Sequence, residues 1–185
     1  MTKAEITGIF PLVVLASTLV VLIIVMTFRR NHALSAGLTF AGLAVTFGTL
    51  FGFRGELSES VTALLIVDAY SRFFTGLILL ASMCTTVFSF GYLKGFKDRI
   101  MEFYVLLLAA TLGSIVIVVS NHLVSFFLGL ELLSISLYAM IAYRRENDDS
   151  LEAGIKYLIL AATSSAFLLF GIALIYAGLG TMQFA

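Results

Sequence analysis

The sequence predicts an all-α fold: a polytopic transmembrane bundle of about six helices, filling residues 1–185 as a single membrane domain. Three observations predict it. Of the 185 residues, 61% are hydrophobic and only 12% are charged, about half the charged share of an average soluble domain. Apolar runs close to 20 residues long, enough to cross a hydrocarbon core of about 30 Å, follow one another along the chain. The connections between them are short, hold most of the charge, and leave no room for a soluble domain between spans.

The first run, 6–28, is too long for the apolar core of a signal peptide, and no small-residue cleavage site precedes the next run. Pro11 falls near its start, where a missing N–H costs least. The second run, 34–53, contains Ala44, Gly48 and Gly52, a small-residue series that lets another helix approach closely. Packing inside one bundle is the expected use of that series, ahead of contact with a second copy. A longer segment, 54–72, leads to the third run, 73–93, which holds the single cysteine, Cys84. One cysteine excludes a disulfide framework within the chain and a cysteine metal cage. The fourth run, 101–119, is separated from the fifth, 123–143, by a short SNH turn. His122 in that turn is of a residue type that titrates near neutrality and is expected to be solvated. Asp149, three residues before Glu152, makes a capping-box pattern ahead of the sixth run, 153–177. Gly178 and Gly180 follow as stop signals.

Loop charge orients the bundle. The first, third and fifth connections hold seven basic residues, namely Arg29, Arg30, Lys94, Lys97, Arg99, Arg144 and Arg145. The opposite side holds three, Lys3, Arg54 and Arg72. The positive-inside rule then places the odd connections in the cytoplasm and both termini of this segment outside, in the periplasm of a bacterium. Net charge is zero, so no basic field points to nucleic acid. The two histidines, His32 and His122, are far apart in sequence, which leaves a zinc site without support. No glycine-rich phosphate loop, haem-ligand pair or cysteine cluster is present, so the chain is expected to hold no cofactor, metal or redox centre of its own.

Two ionisable residues inside the runs carry the functional argument. Glu131 stands eight residues into the fifth run, about 12 Å deep at a rise of about 1.5 Å per residue, too deep for a short side chain to reach the headgroups. A charged residue at a helix centre costs roughly 2.5–3.5 kcal/mol on insertion scales and normally faces a bundle interior or a hydrated path, often in a proton relay. The bland alternative is a structural carboxyl that clamps helices. Lys156 lies near the start of the sixth run, where a lysine can snorkel, and four residues after Glu152, the favourable order for an ion pair on one helix face. The two residues occupy neighbouring antiparallel helices at different depths, so a direct salt bridge is not expected. Hydroxyls such as Ser134 and Ser164, or water, are the expected link. The run Thr163, Ser164 and Ser165 offers further hydroxyls for helix packing or for holding water.

The segment SNHLVSFFLGLELLSISLYAMIAYRRENDDSLEAGIKYLILAATSSAFLLFGIALIYAGLG resembles the antiporter-like membrane subunits, subunit N among them, of bacterial NADH:quinone oxidoreductase (complex I). Its signature is the glutamate in FLGLELLS, a basic loop, SLEAGIKY, and then SSAFLLFGIALIY. RRNH, DAYSRFFTGLILLAS and the EFY at the start of the fourth run extend the likeness more loosely over the remainder. The resemblance implies that this is the first part of a roughly fourteen-helix antiporter-like fold with two inverted repeats. It implies that the glutamate at Glu131 and the lysine at Lys156 belong to a proton-transfer apparatus. It places the chain in a membrane arm beside other antiporter-like subunits, with flavin (FMN), iron–sulfur clusters and quinone in other subunits. Six helices reach only partway through the first repeat, so pumping is expected to require further helices.

The reading that follows is a membrane-arm subunit of NADH:quinone oxidoreductase contributing to redox-coupled proton translocation, with Glu131 as proton carrier and Lys156 as its charge partner. One rival is a subunit of a related cation/proton antiporter or membrane-bound hydrogenase, which shares both residues but not the NADH-oxidising partners. The other is a structural membrane subunit whose carboxyl only holds helices together.

Overall fold

The computed structural model describes residues 3–29, 31–52, 58–62, 64–94, 100–143 and 148–184. Six helices run through it in alternating directions: α1 (Lys3–Phe28), α2 (His32–Gly52), α3 (Ala69–Leu93), α4 (Ile100–Val119), α5 (Leu123–Ile141) and α6 (Asp148–Leu179). Each is long and apolar enough to cross a membrane. The connections after α1, α3 and α5 share one end of the bundle, called here the basic end. Arg30, Arg54, Lys97, Arg99, Arg144 and Arg145, on which the orientation argument leans, lie outside the described residues.

Local chemistry moved several helix ends. α3 starts at Ala69, ahead of the expected 73, because Asp68 caps it. The Asp68 carboxylate accepts the Ser71 N–H at 2.7 Å, while the Ser71 hydroxyl accepts the Asp68 N–H at 2.9 Å. The capping box expected at Asp149 and Glu152 is not formed. α6 already begins at Asp148, so both aspartates lie in its first turn, where negative charge suits the helix dipole. Glu152 pairs with Lys156 instead. Pro11 is two turns inside α1 and not near its start. Gly180 ends α6 as expected: with φ of +68° it occupies the left-handed region that glycine adopts freely, and its N–H reaches the Tyr176 carbonyl at 2.8 Å. Gly178 is still within the helix.

The 54–72 segment is more than a loop. It contains two antiparallel strands, β1 (Ser58–Thr62) and β2 (Leu65–Asp68), with an irregularity between Ser60 and Thr62. This hairpin lies at the end of the bundle opposite the basic end, and Arg72, just beyond it, donates to the Leu50 carbonyl at 2.8 Å. That bond ties the start of α3 to the last turn of α2.

α1 to α4 form a four-helix unit around Leu15, Leu22, Leu43, Leu79, Leu108 and Ile115, all essentially inaccessible. α4 is the shared element, packing on α1, α2 and α3 and also on α5. The α4–α5 approach depends on two glycines. A Cβ at Gly113 would lie 2.7 Å from the Leu133 nitrogen, and one at Gly129 would lie 2.9 Å from Ile117 Cγ1. Backbone therefore meets backbone, as small residues permit between membrane helices. The small-residue series expected to pack α2 does not do so at Gly48, which faces open space; the close contact is one turn and a half earlier, where Gly42 meets Thr18 of α1.

Gly113→Val and Gly129→Val should each wedge α4 from α5 at a cost of about 1–3 kcal/mol, as overpacking does. The measurement is yield and thermal aggregation of the detergent-purified protein, with Gly48→Val unchanged as the control.

Candidate functional site

α5 and α6 descend from the two sides of the fifth connection as an antiparallel pair. Two contacts set their register. Near the basic end Gly154 lets α6 close on α5, since a Cβ there would lie 2.5 Å from the Ala142 Cβ. Further along, the Ser165 hydroxyl donates to Glu131 Oε1 across the interface. The interval between these contacts is the same on both helices, so one register holds from Ala142 to Glu131.

The opposite end is fastened by backbone. After α6 the chain turns back and meets the α4–α5 turn. The Leu123 N–H donates to the Met182 carbonyl at 2.8 Å, the Phe184 N–H donates to the Asn121 carbonyl at 3.3 Å, and His122 bridges Gln183. Phe184 also packs edge-on against Phe126, with ring centres 5.9 Å apart. The same turn holds the hairpin: the Asn121 N–H and the Ser125 hydroxyl both donate to the Leu64 carbonyl, at 2.8 and 3.0 Å. His122, expected to be a solvated turn residue, is half-buried and caps α5 by accepting the Val124 N–H on Nδ1 at 3.2 Å.

Glu131 therefore sits at the middle of a helix held at both ends. It is half-buried, and its described polar partner is Ser165. A hydrogen bond to a charged group contributes about 1.5–3 kcal/mol, comparable with the roughly 2.5–3.5 kcal/mol that a central membrane charge costs. One well-placed hydroxyl thus offsets most of the cost of keeping the carboxylate there. Ser134 and Ser164, named as hydroxyls that could link Glu131 to Lys156, do not bond to Glu131 among the described residues, and Ser164 is exposed. Within the run Thr163–Ser164–Ser165 only the last belongs to the less accessible stripe of α6 that includes Gly154, Ala161, Leu168 and Ile172. Helical spacing from Gly154 is the signal that singles Ser165 out.

Lys156 is elsewhere. Nine residues before Ser165 on α6, it falls on the opposite helix face and about 14 Å away along the axis. Its side chain is 69% exposed and ion-paired with Glu152. The two residues singled out from the sequence are thus not brought together. At an effective dielectric of about 20, unit charges about 14 Å apart interact by about 1 kcal/mol, and the Glu152 charge opposes part of that.

All of α5 and α6 falls within residues 120–185, which match the family described as NADH:quinone oxidoreductase/Mrp antiporter, transmembrane. A chain of respiratory complex I from Thermus thermophilus, solved with bound aureothin, is 31% identical and matches 94% of this chain with a TM-score of 0.79. Over α5 and α6 the chain is thus similar to the antiporter-like membrane subunits. A chain of the membrane-bound sulfane sulfur reductase, an archaeal respiratory membrane complex, covers 97% of it with a TM-score of 0.76 at 19% identity, a likeness of fold alone. The chain spans 38% of the length of each of these two matched chains. The family match includes Glu131, Ser165, Glu152 and Lys156.

Replacing Ser165 by Ala should shift the infrared carboxyl band of Glu131, because its hydrogen-bond donor is gone, and Ser165→Thr should keep the wild-type band. Gly154→Val should shift the same band from a distance by breaking the register.

Proposed function

We propose that this chain is part of the membrane arm of a bacterial NADH:quinone oxidoreductase, an antiporter-like subunit of the subunit N type, and that Glu131 carries protons for redox-driven translocation. The observation that carries the reading is a carboxyl at mid-helix whose hydroxyl partner comes from the neighbouring helix. Such a pair can exchange. When Ser165 turns its hydroxyl back to the Ala161 carbonyl, the bond that serine makes within membrane helices, Glu131 is left free to take a proton. When Ser165 donates to it again, the pair re-forms.

Lys156 has a smaller part in this reading. Its charge biases Glu131 only weakly from about 14 Å along the helix axis, and the Glu152 carboxylate beside it opposes part of that. NADH oxidation, flavin, iron–sulfur clusters and quinone chemistry belong to partner subunits, and the remaining proton path to helices beyond the six here. The basic end faces the cytoplasm and the hairpin end the periplasm, in the bacterial inner membrane.

The test is Glu131→Gln in the assembled complex. Coupled NADH:quinone turnover and proton pumping should fall by about tenfold or more, the loss expected when a positioned proton carrier is removed. Wild-type values in both assays remove the relay role, and failed assembly with normal turnover per assembled complex assigns Glu131 to helix clamping. Lys156→Met should change turnover by no more than about fivefold, the limit that about 1 kcal/mol of coupling allows. Purification through a tag on this chain, with mass spectrometry of what accompanies it, should yield NADH-oxidising and iron–sulfur subunits; hydrogenase or antiporter partners would move the chain to those assemblies.

A further inference from the structure

A second cluster of proton-exchanging groups lies at the basic end, in the α1–α4 unit and away from Glu131. Tyr104, in the second turn of α4, is fully buried at 0% exposure. Its hydroxyl meets His32 Nε2, from the first turn of α2, at 2.9 Å. His32 is the first residue of α2 and is half-buried. Its ring stacks on Phe90 of α3, 4.8 Å between centres and 16° between planes. The same Phe90 ring holds the Lys94 ammonium 4.4 Å from its centre. Three helices thus converge to orient one imidazole. One turn further along the same face of α2 is Ser35, also at 0% exposure, whose Oγ has no hydrogen-bond partner among the described residues.

Packing explains a buried tyrosine and a stacked histidine. It does not explain a fully buried hydroxyl left unpaired, since such a group costs its full desolvation and is rare in native folds. Beyond Ser35 the interior of the unit continues in hydroxyls. Thr39, Thr86 and Thr111 are buried, and Ser82 bonds Thr111 at 2.8 Å between α3 and α4.

We propose that His32 and Tyr104 form a second protonation site of this chain, which takes up and releases a proton at the basic end with Ser35 as the oxygen that completes it. The proton balance is simple. In the neutral pair the Tyr104 hydroxyl donates to Nε2 and the imidazole hydrogen is on Nδ1. A proton arriving at the ring occupies Nε2, which becomes the donor, and Tyr104 turns from donor to acceptor. Its own hydroxyl hydrogen then needs a new acceptor, and the Ser35 Oγ is the unpaired oxygen on that face. No covalent bond other than N–H changes, and one positive charge is added to the ring. Among the described residues, the charged groups borne by the surrounding helix ends are Arg29 after α1, Lys94 after α3 and Glu102 in the first turn of α4.

The test uses the assembled complex with Tyr104→Phe, which keeps the ring, and His32→Gln, which keeps a polar side chain. Both should assemble normally and slow proton uptake from the basic end by about tenfold, most strongly on the alkaline side of neutrality, where protons are scarce. With tyrosine ring-deuterated protein, the wild type should also show a pH-dependent tyrosine band that is absent from Tyr104→Phe and pH-independent in His32→Gln. Normal uptake with an unchanged pH profile in both variants overturns the proposal, as does failure of both to assemble, which makes the pair structural. Glu131→Gln run in parallel separates the two readings. Normal His32 and Tyr104 variants beside a defective Glu131→Gln sink this proposal alone, and the reverse pattern sinks the Glu131 relay alone.

Discussion

The close approach of α4 and α5 through Gly113 and Gly129 is the constraint on which the remaining geometry rests. In a membrane there is little hydrophobic gain from bringing apolar helices together, because lipid tails are as apolar as leucine; contact must come from tight packing and polar bonds. Two facing glycines supply that contact by letting backbones touch. They also give the α5–α6 pair its main attachment to the four-helix unit, since α6 packs on α5. Any change in the separation of α4 and α5 is therefore transmitted to the helix that carries Glu131.

The rest of the site depends on register. The α4–α5 turn is a junction where the hairpin, the start of α5 and the segment after α6 exchange backbone hydrogen bonds. The Asn121, Leu123 and Phe184 N–H groups each donate to a carbonyl from a different part of the chain, which matters because an unsatisfied backbone group near hydrocarbon costs several kcal/mol. With that end fastened and Gly154 against Ala142 at the other, Ser165 meets Glu131. The polar groups also divide by position. Glu131 and Ser165 lie at mid-helix, Glu152 and Lys156 form a solvated pair at the basic end, and His32 with Tyr104 occupies the same end of a different helix group.

Much of the architecture was legible without coordinates. Apolar length located all six helices to within a few residues, because span length is dictated by bilayer thickness. Glu131 stood out because a carboxylate at helix centre is costly, and the ion pair of Lys156 with Glu152 follows from their spacing alone. The misreadings were local or interhelical. Asp68 and Ser71 went unread as a cap because a hairpin precedes them, and Asp149 was read as a cap because the helix begins earlier than its charges suggest. Thr163, Ser164 and Ser165 stood as equals in the sequence, although spacing from Gly154 along α6 separates Ser165 from the other two.

What the sequence by itself determined is the membrane class, the number and order of helices, and the one carboxyl that does not belong in hydrocarbon. These depend on composition and length, properties each segment has in isolation. Which hydroxyl serves that carboxyl, that Lys156 turns away from it, and that His32 meets Tyr104 across 72 positions of chain were decided only by the tertiary structure. Their physical reason is rotation and register: a helix presents a given residue to a neighbour according to where glycine contacts and end clamps stop it, and a single helix does not encode that.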